Sequence, residues 1–278
     1  MLSFFSFFAL LFGLIVGSFL NVVIARMPEN RSIVHPPSHC PACGSGIRYY
    51  DNIPVISWLI LGGRCRDCKT PISSLYPSIE LLTGLLAWLL FSRIFQTAAD
   101  LDPVHLGAFL FYFAFTAALV AETYIDIRHY IIPDELSIYA VPFAVAGMAA
   151  LHHFGYPGAM TWKLSVLGAF FGGGCLAAVT ALWWLIRRTE GMGLGDVKLL
   201  ALIGAVLGPW PALPFVLFSS SVMAVMVMVP LNLAKGRGIR HALPYGPFLA
   251  AGSVLWLLHG PGLMRLWLPG YEALFLPL

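Results

Sequence analysis

"LSFFSFFALLFGLIVGSFLNVVI", residues 2–24, decides the fold class. No charged side chain interrupts it, and its length matches the roughly 20 apolar residues that a membrane-crossing helix needs. A secretory signal peptide is the competing reading. A signal carries basic residues before its apolar run and a small-x-small cleavage site after it. Here Arg26 and Arg31 follow the run instead, so it is expected to remain as a first transmembrane helix.

The rest of the chain repeats that composition. Of 278 residues, 59% are hydrophobic and 10% charged, against about 25% charged in soluble domains. Further long apolar runs cover Ile79–Phe95, Leu106–Ile125, Leu164–Ile186 and Leu213–Leu233, and shorter ones Leu136–Leu151, Val197–Leu207 and Ala242–Leu258. The expected fold is an all-α polytopic membrane protein of about eight transmembrane helices. Basic residues favour the cytoplasmic side, so Arg26 and Arg31 put the N-terminus outside. With eight spans the inward loops are 25–78, 126–135, 187–196 and 234–241. These loops and their flanks hold 13 of the 16 Lys and Arg residues, leaving only Arg93, Lys163 and Arg265 elsewhere. Gly13 with Gly17, and Gly168 with Gly172, are G-x-x-x-G pairs that suit close helix contact. Pro142 is expected to kink the fourth span.

The long first inward loop holds "CPAC" at Cys40–Cys43 and "CRDC" at Cys65–Cys68. Two C-x-x-C turns resemble a zinc ribbon or knuckle, each aiming two thiolates at one point so that the pair closes a tetrahedral site. Arg48, Arg64, Arg66 and Lys69 nearby favour thiolates. Two disulfides or four separate thiols are the alternatives, and a reducing cytosol argues against disulfides. His35 and His39 are substitute ligands, although four cysteines already complete the shell. Cys175, in an apolar run, reads as a small packing residue.

The second inward loop reads "YIDIRHYIIPDELS", with Asp126 closing the third span and Asp134, after Pro133, placed as a helix N-cap. The third holds "GMGLGDVKLL", residues 191–200. Alternating spans put Asp126 and Asp196 at the same side of the membrane. From Asp196 to Gly208 is about 18 Å of helix, short of the roughly 30 Å hydrocarbon core, so Asp196 is expected below the inner surface. A carboxylate at that depth points to function. Gly191, Gly193 and Gly195 let the backbone unwind and approach a ligand or a neighbouring helix closely. Two carboxyls in one partly dry site cannot both ionise easily, and such a pair activates water and protonates a leaving amine. The alternative is that each Asp caps a helix or pairs with Arg128 or Lys198. Glu122, four residues before Asp126, shares its helix face and is a third candidate acid. Glu80 lies in another apolar run with no role assigned by chemistry.

In order along the chain, "GSFLNVVIARMP" (17–28), the paired C-x-x-C, "DNIPVISWL" (51–59), "YPSIELLTG" (76–84), "DIRHYIIPD" (126–134), "EGMGLGDVKLL" (190–200) and "LPYGPFLAAG" (243–252) resemble the bacterial type IV prepilin peptidases. These are bifunctional leader peptidases and N-methyltransferases of the G-x-G-D intramembrane aspartyl protease group. The resemblance implies Asp126 and Asp196 as catalytic acids, with Gly193, Gly195, Lys198 and Arg128 supporting the catalytic loops and Asp134 less firmly placed. It implies cleavage of a short basic leader after Gly in type IV pilin or type II secretion pseudopilin precursors at the cytoplasmic membrane face. N-methylation of the new terminus, usually Phe, would follow from S-adenosylmethionine. The implied cofactors are structural zinc on Cys40, Cys43, Cys65 and Cys68, and S-adenosylmethionine as donor. No Gly-rich strand–helix motif marks a site for the latter.

The expected division is a first transmembrane helix (1–25), a cytoplasmic zinc-binding domain (26–77) inserted between the first and second helices, a peptidase core (78–258) and an interfacial C-terminal tail (259–278). The expected location is the bacterial inner membrane, multi-pass, in contact with lipid and not with nucleic acid, the oligomeric state being open. Glu29, Asp51 or Asp67 would attract a basic leader. The family commonly has Arg where this chain has Leu75, which bears on the methyltransferase half. A peptidase without methyl transfer, or a proton-coupled transporter using Glu122, Asp126 and Asp196, are the competing functions.

Overall fold

A computed structural model of the chain describes residues 2–188, 193–234 and 244–267. Gly191, most of the basic loop 234–241 and the aromatic tail beyond 267 lie outside the described residues. Among the described residues there is no strand, only two isolated bridges in the cysteine-bearing segment.

Nine helices are described: α1 (Leu2–Arg26), α2 (Ile56–Ile60), α3 (Leu75–Ile94), α4 (Pro103–His129), α5 (Val141–His153), α6 (Trp162–Arg187), α7 (Leu194–Leu207), α8 (Ala212–Ala234) and α9 (Gly246–Trp267). Among the described residues six of them, α1, α3, α4, α6, α8 and α9, are long and apolar enough to cross a membrane. The remaining two apolar helices, α5 and α7, have 13 and 14 residues. They reach only about 20 Å. The chain is a multi-pass helical membrane protein.

The chain divides into two compact units, Met1–Pro133 and Asp134–Leu278. In the first, α1 lies along α3, and both contact α4. The seam needs small residues. A Cβ on Gly13 would stand 2.6 Å from the Ala87 Cβ and one on Gly17 2.7 Å from the Glu80 backbone. The G-x-x-x-G pair therefore works within the chain, as close backbone approach requires. Helix α4 starts at Asp102, whose carboxylate accepts the Val104 and His105 N–H groups at 2.7 and 2.9 Å, followed by Pro103 at the first helical position. It stops at Tyr130, in the left-handed region with φ 55°.

In the second unit α6 runs against α7. Gly168 faces Gly204 and Gly172 faces the Leu200 carbonyl so closely that no Cβ fits at either glycine. The Ser165 hydroxyl donates across the seam to the Ala205 carbonyl at 2.6 Å. Every residue of α7 from Leu199 to Val206 is buried, as expected of a helix that is apolar all round and enclosed by neighbours. Two expectations fail here. Pro142 sits in the first turn of α5, where its missing N–H costs nothing, so it opens that helix rather than kinking it. Cys175 is exposed on α6, so it does not serve to pack the interior of the chain.

Candidate active site and metal centre

The cysteine segment is built from two equivalent turns. In the first, Gly44 N–H donates to the Cys40 carbonyl at 2.8 Å and Cys40 N–H to Ser45 at 2.9 Å; in the second, Lys69 N–H donates to Cys65 at 3.1 Å and Cys65 N–H to Thr70 at 2.9 Å. The residue after each second cysteine takes a positive φ, 72° at Gly44 and 61° at Lys69. The bridges His39–Gly46 and Arg64–Pro71 close the two turns. Together they bring the sulfurs of Cys40, Cys43, Cys65 and Cys68 within 4.8 Å of one another, with Cys40 and Cys68 Sγ at 3.8 Å. Sulfurs around a tetrahedral ion at about 2.3 Å would stand about 3.8 Å apart, so this donor set fits one metal ion. The histidines His35 and His39 are not in the cluster.

Two of the thiols are lowered, and the cause is local hydrogen bonding rather than the arginines. The Thr70 hydroxyl, then its backbone, brings Cys68 down to about 6, and the Ser45 hydroxyl and backbone lower Cys43. Arg66 is instead spent on Asp51, gripping it with two bonds of 2.7 and 2.5 Å. Arg48 donates to Tyr50 at 2.8 Å. The hydroxyl two residues beyond each second cysteine was a signal present in the sequence. The acids expected to draw a basic leader already have basic neighbours in the chain: Glu29 has Arg31 at 2.6 Å, Asp51 has Arg66, and Asp67 has Arg48 at 3.9 Å.

Glu80, which sequence chemistry left without a role, holds this segment to the membrane helices. Its Oε2 accepts the Val55 N–H at 2.7 Å and its Oε1 lies 3.5 Å from Asn21 Nδ2. Asn21 also donates to the Tyr76 carbonyl at 3.2 Å. Val55 is the centre of a tight turn in which Ile56 N–H reaches back to the Pro54 carbonyl at 2.6 Å, with φ 62° and ψ −50°. That is the rare, strained hand of the γ-turn, and a β-branched residue resists it most. Strain of this kind persists only where surrounding contacts fix it, and the Glu80 carboxylate is one such contact.

Asp126 lies buried one turn before the end of α4, and its carbonyl accepts the capping Tyr130 N–H at 2.9 Å. Glu122, one turn earlier, is 1% exposed, and neither of its oxygens has a hydrogen-bond partner among the described residues. Arg128 is exposed and lines a small cleft with Asn21, Leu75, Tyr76 and Ile79. In the second unit Asp196 occupies the first turn of α7, half-buried, where the helix dipole favours a carboxylate. Of the glycines expected to loosen the backbone, Gly193 is an extended N-cap outside the helix, with φ −66° and ψ 138°, and Gly195 is already helical. A Cβ on Gly193 would meet no close neighbour among the described residues. Lys198 meets a different acid of the same unit. Its ammonium donates to Asp134 Oδ1 at 2.5 Å, which also corrects the reading of Asp134 as a helix cap. The next helix begins only at Val141, after a 3₁₀ turn, and the Asp134 carboxylate is used to hold α7 by Lys198.

Residues 11–94 match the bacterial peptidase A24 N-terminal domain and residues 112–229 the type IV leader peptidase family. A prepilin leader peptidase/N-methyltransferase of Dichelobacter nodosus is 36% identical over 91% of this chain and 91% of its own. One from Aeromonas hydrophila is 36% identical over 94% and 93%, and one from Myxococcus xanthus 39% identical over 84% of this chain and 65% of its own. No solved structure matches the chain. The protein belongs to the prepilin leader peptidase/N-methyltransferase family.

Proposed function

We propose that the protein removes the leader from type IV pilin or type II secretion pseudopilin precursors and then N-methylates the new terminus, with Asp126 and Asp196 as the catalytic pair. The observation that carries the reading is a buried Asp126 one turn from the end of a membrane-spanning helix, in a chain of this family. A pilin precursor has a charged leader followed by an apolar helix, so its scissile bond lies at the membrane surface, level with helix ends such as this. One carboxylate takes a proton from water, which attacks the peptide carbonyl. The other, holding a proton, gives it to the departing amine. The products are a leader ending in a carboxylate and a mature chain with a free amine. S-adenosylmethionine supplies the methyl group for that amine.

In this reading the four cysteines hold a structural zinc ion, which supplies folding energy to a segment with little core of its own and takes no part in cleavage. α5 and α7 complete a set of eight membrane segments, the N-terminus faces the periplasm, and the cysteine segment forms a cytoplasmic domain between the first two spans of the inner membrane. Gly193, Gly195 and Arg128 belong to the loops around the two acids, while Lys198 positions α7 through Asp134.

Purified protein incubated with a pilin precursor and S-adenosylmethionine, read by intact mass, tests both halves. The expected product has lost its leader and gained one methyl group. Asp126→Asn and Asp196→Asn each abolish leader loss while the protein still inserts. Normal cleavage by either variant ends the assignment of that residue. The second reading, a peptidase alone, is favoured by Leu75, which lines the cleft with Arg128 where the family commonly has Arg. A cleaved but unmethylated product would select it.

A further inference from the structure

Helix α2 carries an apolar face that no part of the described chain covers. Ile56, Leu59 and Ile60 stand at i, i+3 and i+4, so they share one side of the helix. They are 53%, 63% and 76% exposed, and Ile53, just before the helix, is 47% exposed. The other side is occupied. The buried Ser57 hydroxyl donates to the Tyr50 carbonyl at 2.9 Å, and Trp58 Nε1 donates to the Ile72 carbonyl at 3.1 Å. The internal contacts thus fix which side of α2 points away from the protein.

What lies on that side follows from where the helix is attached. Val55, immediately before α2, is bonded to Glu80 at 2.7 Å. Glu80 is inside a membrane-spanning helix, five residues from its start at Leu75. That is about 8 Å along the axis. Asn21, which lies beside Glu80 at 3.5 Å, is five residues from the end of α1 at Arg26. The attachment point is therefore level with the terminal turns of two membrane helices, at the Arg26 end of α1 and the Leu75 end of α3. The neighbouring sequence suits that position. Four basic and two acidic residues lie between 48 and 69; with Arg66 held by Asp51 and Arg48 near Asp67, Arg64 and Lys69 leave the segment net basic, which favours an anionic surface, and a short apolar face in a basic segment is how interfacial helices bind lipid.

We infer that α2 lies in the membrane interface, with Ile56, Leu59 and Ile60 among the acyl chains of the leaflet that meets the Arg26 and Leu75 ends of α1 and α3. The cysteine centre is then seated on the bilayer by its own lipid contact as well as by the bond from Val55 to Glu80. This depends on α1 and α3 spanning the membrane and not on the catalytic assignment of Asp126 and Asp196.

The test uses the full chain in nanodiscs of phosphatidylethanolamine and phosphatidylglycerol. A nitroxide is attached to a ketone-bearing unnatural residue at position 60, and separately at 59 and at the solvent-facing position 49. Metal content reports whether each labelled protein keeps its cysteine centre. The expected result is that oxygen relaxes the labels at 59 and 60 several-fold more than an aqueous nickel chelate does, with the reverse at 49. Equal access of the chelate to all three positions overturns the proposal. So does protection at 59 and 60 that develops only when a pilin precursor is added, which would assign the face to the substrate.

Discussion

The N-terminal part of α3 and the C-terminal part of α4 each bury a glutamate inside a membrane-spanning helix, and the two are treated in opposite ways. Glu80 faces donors with both oxygens, one from the Val55 backbone and one from Asn21. Glu122 has a partner for neither among the described residues. Burying a carboxyl without hydrogen bonds is costly, so a chain keeps one where packing alone would prefer a hydrocarbon only if it is used. The contrast separates an acid that holds structure from an acid left free beside a candidate catalytic residue. Asp126, one turn further along α4, sits at the edge of the second environment.

Replacing Cys40 and Cys43 together by Ser is expected to have the largest effect on the Glu80 side. It would remove metal binding of the order of 10–16 kcal/mol and leave residues 32–72 open to protease while the membrane helices persist. Metal analysis and limited proteolysis read both. If the segment stays protected, the Glu80 joint is sufficient without the metal. On the other side, Asp126→Asn is expected to lower leader cleavage by more than about 10³-fold, and Glu122→Gln by less than about 10²-fold. A Glu122→Gln loss as deep as that of Asp126→Asn would move Glu122 into the catalytic set.

The remaining expectations are changes in stability. Glu80→Ala leaves the Val55 N–H unmet and should destabilise by about 1–3 kcal/mol. Glu80→Gln, which keeps a carbonyl acceptor, should recover most of that in a denaturation titration. Glu122→Leu removes an unpartnered carboxyl and should be neutral or stabilise by up to about 2 kcal/mol. If Glu122→Leu destabilises as much as Glu80→Ala, the contrast between the two glutamates is false. Smallest is Lys198→Met, which breaks a half-exposed ion pair with Asp134 and should change stability by less than about 1 kcal/mol.

Membrane class, the paired cysteines and the family were legible in the residues, because each rests on a pattern local in sequence. Apolar run length is set by the thickness of hydrocarbon, and a C-x-x-C turn aims two sulfurs whatever surrounds it. The misreadings came where a side chain had a choice of partners. Asp134 after Pro133 has the form of a helix cap, yet a lysine 64 residues away takes its carboxylate. Arg66 beside two cysteines has the form of a thiolate partner, yet Asp51 holds it. Pro142 in an apolar run has the form of a kink, and only the actual start of α5 makes it an opening residue.

By itself the sequence determined that this is a multi-pass helical membrane protein with a four-cysteine centre between its first two long apolar helices. Tertiary structure alone decided that Glu80, itself met by Asn21, binds the strained turn at Val55, that Lys198 belongs to Asp134, and that α7 is enclosed by its neighbours. The physical reason is range. Hydrophobic length and tight turns are fixed by neighbours along the chain, whereas a hydrogen bond acts over about 3 Å and its partner is known only once the helices have packed.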